Sequence, residues 1–416
     1  MLRNRNFATF WSAAVVSDIG TWMQAITVGV LVARLTGKAT ATGLIGVAAF
    51  ATQAISSPIG GVFADRFDRR KMVIASLTAQ IAVTAVLASV LTQDRPRIGL
   101  LTLLVAGQGL AGSFGMPASQ SLMPSLVPRE DLLKAVSLGA VSWNAGRIVG
   151  SALAALLGLW LSPAWIVTVN AASFGVLAVG IYSIKGTFKA PQIGDRGSFV
   201  SQFRVGARTL WDTPGCRFAV LGMIGMQLTL IAWVGLIPIV AQERLHGGRG
   251  LASAITVLQG CGALVGAGLA AWMVSLIGRP RTMVACGALG AVALLGYAQA
   301  TNRWVAFPFV VVLGMCTLAL FVCFGAIVQR DAPEHARARI TSIQSAVLGS
   351  SYGIGVLASG RIADHIGLGP VLTANALLFT VLMLIAVGPL RRYWSVVGHG
   401  DPQSRRRERI LARQGS

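Results

Sequence analysis

"GGVFADRFDRRK", Gly60 to Lys71, is the stretch on which the reading of the chain turns. Six of the seven residues from Asp65 to Lys71 are charged, and they follow directly on a long apolar run. Charge that dense, at the end of a segment that apolar, marks a place where a chain leaves hydrocarbon for water.

The rest of the sequence repeats the alternation. Of 416 residues 54% are hydrophobic and 12% charged, with 49 glycines, and the mean hydropathy is +0.69. A soluble chain of this length must cover its cores with polar surface, and this one has too little. Twelve apolar stretches stand out, at 10–33, 43–64, 72–92, 98–122, 136–160, 164–184, 218–241, 252–277, 282–300, 304–328, 340–362 and 370–390. Each can cross about 30 Å of hydrocarbon as a helix rising 1.5 Å per residue. Periodicity adds little here, because helices surrounded by lipid or by one another are apolar on most faces. The expected fold is an all-α membrane protein with 12 transmembrane helices.

With both termini placed in the cytoplasm, the inner segments hold 26 Lys and Arg and the outer segments 8, and Arg147 lies inside the membrane. Such a bias sets orientation. It also accounts for most of the net charge of +21, so the basic balance reads as topology, and no nucleic-acid partner is expected. "MLRNRNFATF" leads into the first segment without a small-residue cleavage site, so that segment is expected to stay as a helix. Cys216, Cys261, Cys286, Cys316 and Cys323 form no CxxC pair and lie in or beside apolar segments. Free thiols are expected.

The longest interruption, from Ile184 to Phe218, falls midway and divides the chain six plus six. At an offset of about 210 residues "FATFWSAAV" aligns with "CRFAVLGMI", Trp22 falls near Trp233, and "GGVFADRFDRRKM" meets "AAWMVSLIGRPRTM". A common offset is the mark of an internal repeat, as in transporters built from two related bundles around a central site. The expected units are a six-helix bundle at 1–185, a cytoplasmic linker at 186–215, a second, pseudo-symmetric six-helix bundle at 216–390, and a basic tail at 391–416 that contacts anionic headgroups.

The opening stretch also resembles the loop between helices 2 and 3 of the major facilitator superfamily, carried here by Gly61, Asp65, Arg66, Asp68, Arg69, Arg70 and Lys71. Asp68 stands where the pattern has a second glycine. With "NRNFATFW", "SDIGTW" and "SWNAGRIVGSAL", the chain resembles the branch of siderophore and macrolide exporters of the transmembrane secretion effector type. The resemblance covers the whole chain in helix count and repeat, and its matching residues lie mainly in the first 160. It implies a major facilitator fold and a cytoplasmic gate at Gly61, Asp65, Arg66, Arg69 and Arg70. In that gate Asp65 faces the start of the eleventh helix, where Arg337 and Arg339 stand. A carboxylate at a helix N-terminus contributes about 0.3–2 kcal/mol, enough to bias two states and too little to lock one. Two departures from antiporters of the family are Val105, where an intramembrane arginine is usual, and Ser151, where proline is common after Gly146 and Gly150.

The residues that cost most lie deeper. Asp18 sits about eight residues into its helix and Arg147 about eleven into its own, so both approach mid-membrane from the same side. A lone charge there costs about 2.5 kcal/mol or more, so the two are expected to face the bundle interior, pair, and couple protons to substrate. Neighbours at helical spacing, Trp22, Trp143, Asn144 and Ser151, are expected to line the cavity, as are Gln24, Gln53, Gln108, Gln227 and Tyr352. A pair that only fixes helix packing is the alternative for the charges, and helix-to-helix hydrogen bonds the alternative for the glutamines.

Two literal motif matches fail on context. "GQGLAG" (Gly107–Gly112) has no strand before it. "GSSYG" (Gly349–Gly353), with Asp364 and His365 beyond, sits inside a helix rather than at a strand-to-helix turn. The four histidines lack ligand spacing, so neither metal nor other cofactor is expected. The sequence therefore reads as a secondary active exporter, not an enzyme, in the bacterial cytoplasmic membrane. It moves a small amphipathic drug, macrolide or siderophore by alternating access with proton antiport, among membrane lipids and as a monomer. An importer or uniporter of the same fold is the first alternative, and an intramembrane serine hydrolase a remote one. Topology gives the first test: a reporter fused at Ile193 is expected in the cytoplasm, and finding it outside would reverse the orientation.

Overall fold

The computed structural model describes residues 4–64, 67–184, 199–333 and 336–398. Regular structure within them is helical throughout: α1 (Arg5–Thr36), α2 (Ala39–Ala64), α3 (Arg69–Val90), α4 (Ile98–Leu122), α5 (Leu132–Leu157), α6 (Pro163–Ser183), α7 (Phe199–Asp212), α8 (Pro214–Leu228), α9 (Ile237–Ile239), α10 (Arg249–Ile277), α11 (Arg279–Gln299), α12 (Arg303–Asp331), α13 (Arg337–Ile366) and α14 (Leu368–Gly398). Among the described residues nine helical stretches are long and apolar enough to cross a membrane, with Pro214–Arg244 counted as one. α5 and α13, at 26 and 30 residues, are as long. Their apolar runs are diluted by Ser, Asn, Gly, Gln and Arg, and both pack across the chain's two halves, α5 on α10 and α13 on α2. Helices that meet other helices on several sides need less hydrocarbon-compatible surface than helices that meet lipid.

One expectation gains detail and another changes. The linker at 186–215 contains a helix, α7, whose Gly206 lies against Arg339 and Ile343 of α13. The segment at 218–241 is not one continuous helix: α8 ends at Leu228, and the chain goes on through a 3₁₀ turn at Ala232–Leu236, the short α9, and a π turn at Val240–Arg244. Pro238 stands in the first turn of α9 and has no N–H to carry an i to i−4 ladder back into the 3₁₀ turn. Gly355 of α13 approaches the break, and a Cβ there would stand 2.7 Å from the Leu228 carbonyl oxygen.

The charged knot is partly explained locally. Asp65 and Arg66 lie outside the described residues. Asp68 is the N-cap of α3 and accepts the Lys71 N–H at 3.0 Å, which is what aspartate does well at this position. Arg70 donates to the Tyr182 carbonyl oxygen and lies 5.3 Å over the Tyr182 ring, tying α3 to the end of α6. At the other end of the bundle Gly37 closes α1 in the left-handed conformation, φ 60°, which glycine adopts without strain.

The contact that positions the site is between α1 and α5. A Cβ at Gly146 would stand 2.6 Å from the Asp18 Cβ, and one at Gly150 would meet the Ile19 carbonyl oxygen. Two glycines four residues apart let the backbones close. We expect Gly146→Ala to lower the stability of the detergent-purified protein by about 1–3 kcal/mol, read as a lower unfolding midpoint. Gly175→Ala in α6, where a Cβ meets nothing within 4 Å, is expected to leave that midpoint unchanged or raise it.

Candidate functional site

Asp18 sits against α5, and its carboxylate accepts the Ser142 hydroxyl at 2.5 Å. The expected ion pair with Arg147 is not formed. Arg147 follows Gly146, so it is turned about 100° away from the face that meets Asp18. It points to the other half of the chain: a Cβ at Gly260 of α10 would stand 3.4 Å from Arg147 Nε. Its guanidinium donates to Asn144 Oδ1 at 2.9 Å and lies 5.8 Å over the Trp22 ring. Stacking of a guanidinium on an indole is favourable and strengthens as water is excluded.

Trp22, one turn beyond Asp18, anchors an aromatic cluster. Its ring centroid is 5.4 Å from Phe50 of α2 and 5.4 Å from Trp143 of α5. Trp22 is buried, whereas Trp143 is 40% exposed, so the cluster opens along α5. Ser151, one turn after Arg147, is buried.

The remaining candidates separate. Gln24 donates to Gln108 at 2.6 Å and accepts from Asn170 at 2.7 Å, a buried network that joins α1, α4 and α6 within the first bundle. Buried amides with partners fix helix register more than they bind ligand. Gln227 donates to the Leu348 carbonyl at 3.2 Å, beside the break after α8. The Tyr352 hydroxyl lies where α2 meets the broken segment, 3.0 Å from a Cβ built at Gly235 and 3.9 Å from one at Gly46. The Gln53 side chain, Gly61 beyond its backbone and the Arg337 side chain are outside the described residues, as are Asp65 and Arg66, so the expected latch falls there too. Arg69 has a buried Nε, and Arg339 packs beside α7. The five cysteines are free, and Cys261 is the exposed one.

Sequence reasoning missed three residues. Ser142 lies one turn before Gly146, so the helical spacing that puts Gly146 on Asp18 also puts Ser142 there. Phe50 carried no signal in a uniformly apolar run. Asp364 was considered only as a hydrolase partner. It stands 13 residues after Ser351 on one helix, about 20 Å along the axis, and it does something else: its carboxylate accepts the N–H of Ala39 at 2.6 Å, the N–H of Thr40 at 3.1 Å and the Thr40 hydroxyl at 2.5 Å. The first N–H groups of a helix have no partner of their own, and an acid there satisfies them. The halves are thus joined at the end of the molecule where α2 begins. Gly43 against Val356 and Gly29 against Pro238 continue that closure inward.

A cavity of about 940 Å³ lies elsewhere, between α8, α11, α12 and α14, lined by residues such as Arg217, Leu221, Met283 and Phe324. α11 and α14 pack against helices of their own half, so this space is turned away from Asp18 and Arg147.

The family description "transmembrane secretion effector" matches residues 1–397. The chain belongs to that family, within the major facilitator superfamily. Among curated relatives it is 25% identical over 389 residues to the multidrug efflux pump Tap of Mycolicibacterium fortuitum, covering 90% of this chain and 93% of that one. It is 24% identical to macrolide efflux protein A of Streptococcus pyogenes, covering 87% and 90%, and 24% identical to the enterobactin exporter EntS of Escherichia coli, covering 93% of each. Among solved structures it is similar to the nucleoside transporter NupG, with a TM-score of 0.73, 10% identity and 92% and 98% of the chains covered. It is also similar to a bacterial homologue of the lysosomal transporter Spinster in an inward-facing, unoccupied conformation, with a TM-score of 0.72, 12% identity and 93% and 97% covered. These likenesses show the fold. The family member is a multi-pass membrane protein of a transporter class.

The Asp364 cap sets a test. Asp364→Ala removes the acceptor for the start of α2, a loss of about 0.5–2 kcal/mol. A cysteine introduced at Val356, buried in the closed face, is then expected to react with a thiol reagent about 2- to 30-fold faster. An unchanged rate would reduce the cap to local helix stabilisation.

Proposed function

We propose that the protein is a proton-coupled exporter of small amphipathic molecules, working by alternating access between two six-helix bundles of a twelve-helix transporter. The observation that carries this reading is Asp18: a carboxylate placed inside α1 at the α1–α5 contact, held by a neutral Ser142 hydroxyl rather than neutralised by an arginine. An acid in that setting can exchange a proton without first breaking a salt bridge, and intramembrane acids of this kind mark proton or substrate paths. The curated relatives are named as a multidrug pump, a macrolide efflux protein and an enterobactin exporter, and their common direction supports export.

Gating follows from two antiparallel helices. Asp364 at the end of α13 caps the start of α2. Asp65 immediately follows the end of α2 in the sequence, and in the proposed mechanism it caps the start of α13 when the opposite end closes. Each latch contributes about 0.3–2 kcal/mol, suited to an equilibrium of a few kcal/mol. The basic bias favours the termini and the α2–α3 loop on the cytoplasmic side of a bacterial membrane; on that reading the face closed by Asp364 is the outer one, and the transporter works as a monomer.

A panel of drugs, macrolides and siderophores, assayed for efflux from expressing cells with and without a protonophore, tests the reading. The expected result is accumulation that rises when the protonophore is added, and Asp18→Asn protein that is made at normal abundance but no longer maintains a gradient. Asp18→Asn cells that keep full, protonophore-sensitive efflux would remove proton coupling through this residue. Uptake down a gradient, with no dependence on the protonophore, would favour import or uniport.

A further inference from the structure

Three buried hydrogen-bond donors lie near one another around the α1–α5 contact, with no acceptor among the described residues. They are Trp22 Nε1, Arg147 Nε and Ser151 Oγ. Arg147 and Ser151 are one turn apart on the same side of α5. The Arg147 guanidinium lies over the Trp22 ring, and a Cβ at Gly150, next to Ser151, would stand 3.1 Å from the Trp22 Cβ. Each buried donor left unsatisfied costs about 1–3 kcal/mol, so three together form a poor packing solution and a good binding one. The charge has the same property. Among the described residues no carboxylate stands within ion-pair distance of Arg147; Asp18 is on Ser142, and the guanidinium has the neutral Asn144 amide.

We propose that this patch recognises an oxyanion on the transported molecule, a carboxylate or phenolate carried by a flat apolar body that rests on Trp143 and the Trp22–Phe50 pair. This rests on the transporter reading for the word "transported" and on the geometry for the rest. The guanidinium provides charge, the indole N–H and the serine hydroxyl provide direction, and the low dielectric strengthens all three. Arg147 also lies against Gly260 of α10, so an anion bound there touches both halves of the chain and responds to their relative movement.

The chain carries its own reporter. Cys261 follows Gly260 and is the one exposed cysteine of the five. On the full-length protein in nanodiscs, Cys261 is modified with methanethiosulfonates bearing either a sulfonate or a trimethylammonium group, with Cys261→Ser as the blank. The expected result is a sulfonate-to-ammonium rate ratio about tenfold above that of a free thiol, falling to the free-thiol value in Arg147→Gln. Fluorescein, an anionic flat dye, is expected to protect Cys261 at about tenfold lower concentration than cationic rhodamine 6G, and that preference is expected to weaken in Ser151→Ala. No charge preference in the wild type, or protection by rhodamine 6G as good as or better than by fluorescein, or no protection by fluorescein at all, overturns the proposal. Charge-selective labelling and protection in a protein that fails the efflux assay would leave the oxyanion site standing and remove only its role in export.

Discussion

The close approach of α1 and α5 is the constraint on which the site depends. Gly146 and Gly150 remove the side chains that would hold the helices apart, and everything polar nearby is arranged by that contact. It brings Ser142 onto Asp18, so the carboxylate has a donor inside the membrane. It turns Arg147 away from the acid and toward α10. It also brings the Trp22 ring under the Arg147 guanidinium. A helix pair a few ångströms wider would leave both charges without these neighbours, and bare charges do not persist in hydrocarbon.

The second organising feature is the use of helix ends. α2 and α13 run antiparallel across the join between the halves, so the end of α13 lies near the start of α2. Asp364 exploits one such end. A link of this kind is modest in energy and reversible, because solvent can replace it. The broken segment from Leu228 to Arg244 belongs to the same region, and irregular backbone in a membrane is tolerated only where protein or a cavity surrounds it. Trp233 in that segment is fully buried and packs on Tyr297, centroids 5.0 Å apart, so the break is enclosed by protein.

Polar residues in the first bundle divide into two kinds. Gln24, Gln108 and Asn170 satisfy one another in the interior of the bundle and hold three helices in register. Trp22 Nε1, Arg147 Nε and Ser151 Oγ have no such partner among the described residues, and Arg147 reaches the join, against Gly260 of α10.

The fold class was legible in the sequence because hydrocarbon thickness imposes segment length, and because loop charge and apolar runs need no tertiary contact to be seen. The two isolated charges of the apolar segments were legible for the same reason, as local departures from an apolar background, and the family was legible in the motifs that resemble it. Pairing was not. Equal depth suggested that Asp18 meets Arg147, but depth is a coordinate along the helix axis, and contact also depends on rotation about it. Rotation is set by which small residues let a neighbour approach, here Gly146 and Gly150, and a uniformly apolar helix carries no periodic signal for it. The sequence by itself determined a helical membrane protein with a costly acid and a costly base; the tertiary structure decided that the acid rests on Ser142 and the base reaches across to α10, because side-chain direction is fixed only when helices pack.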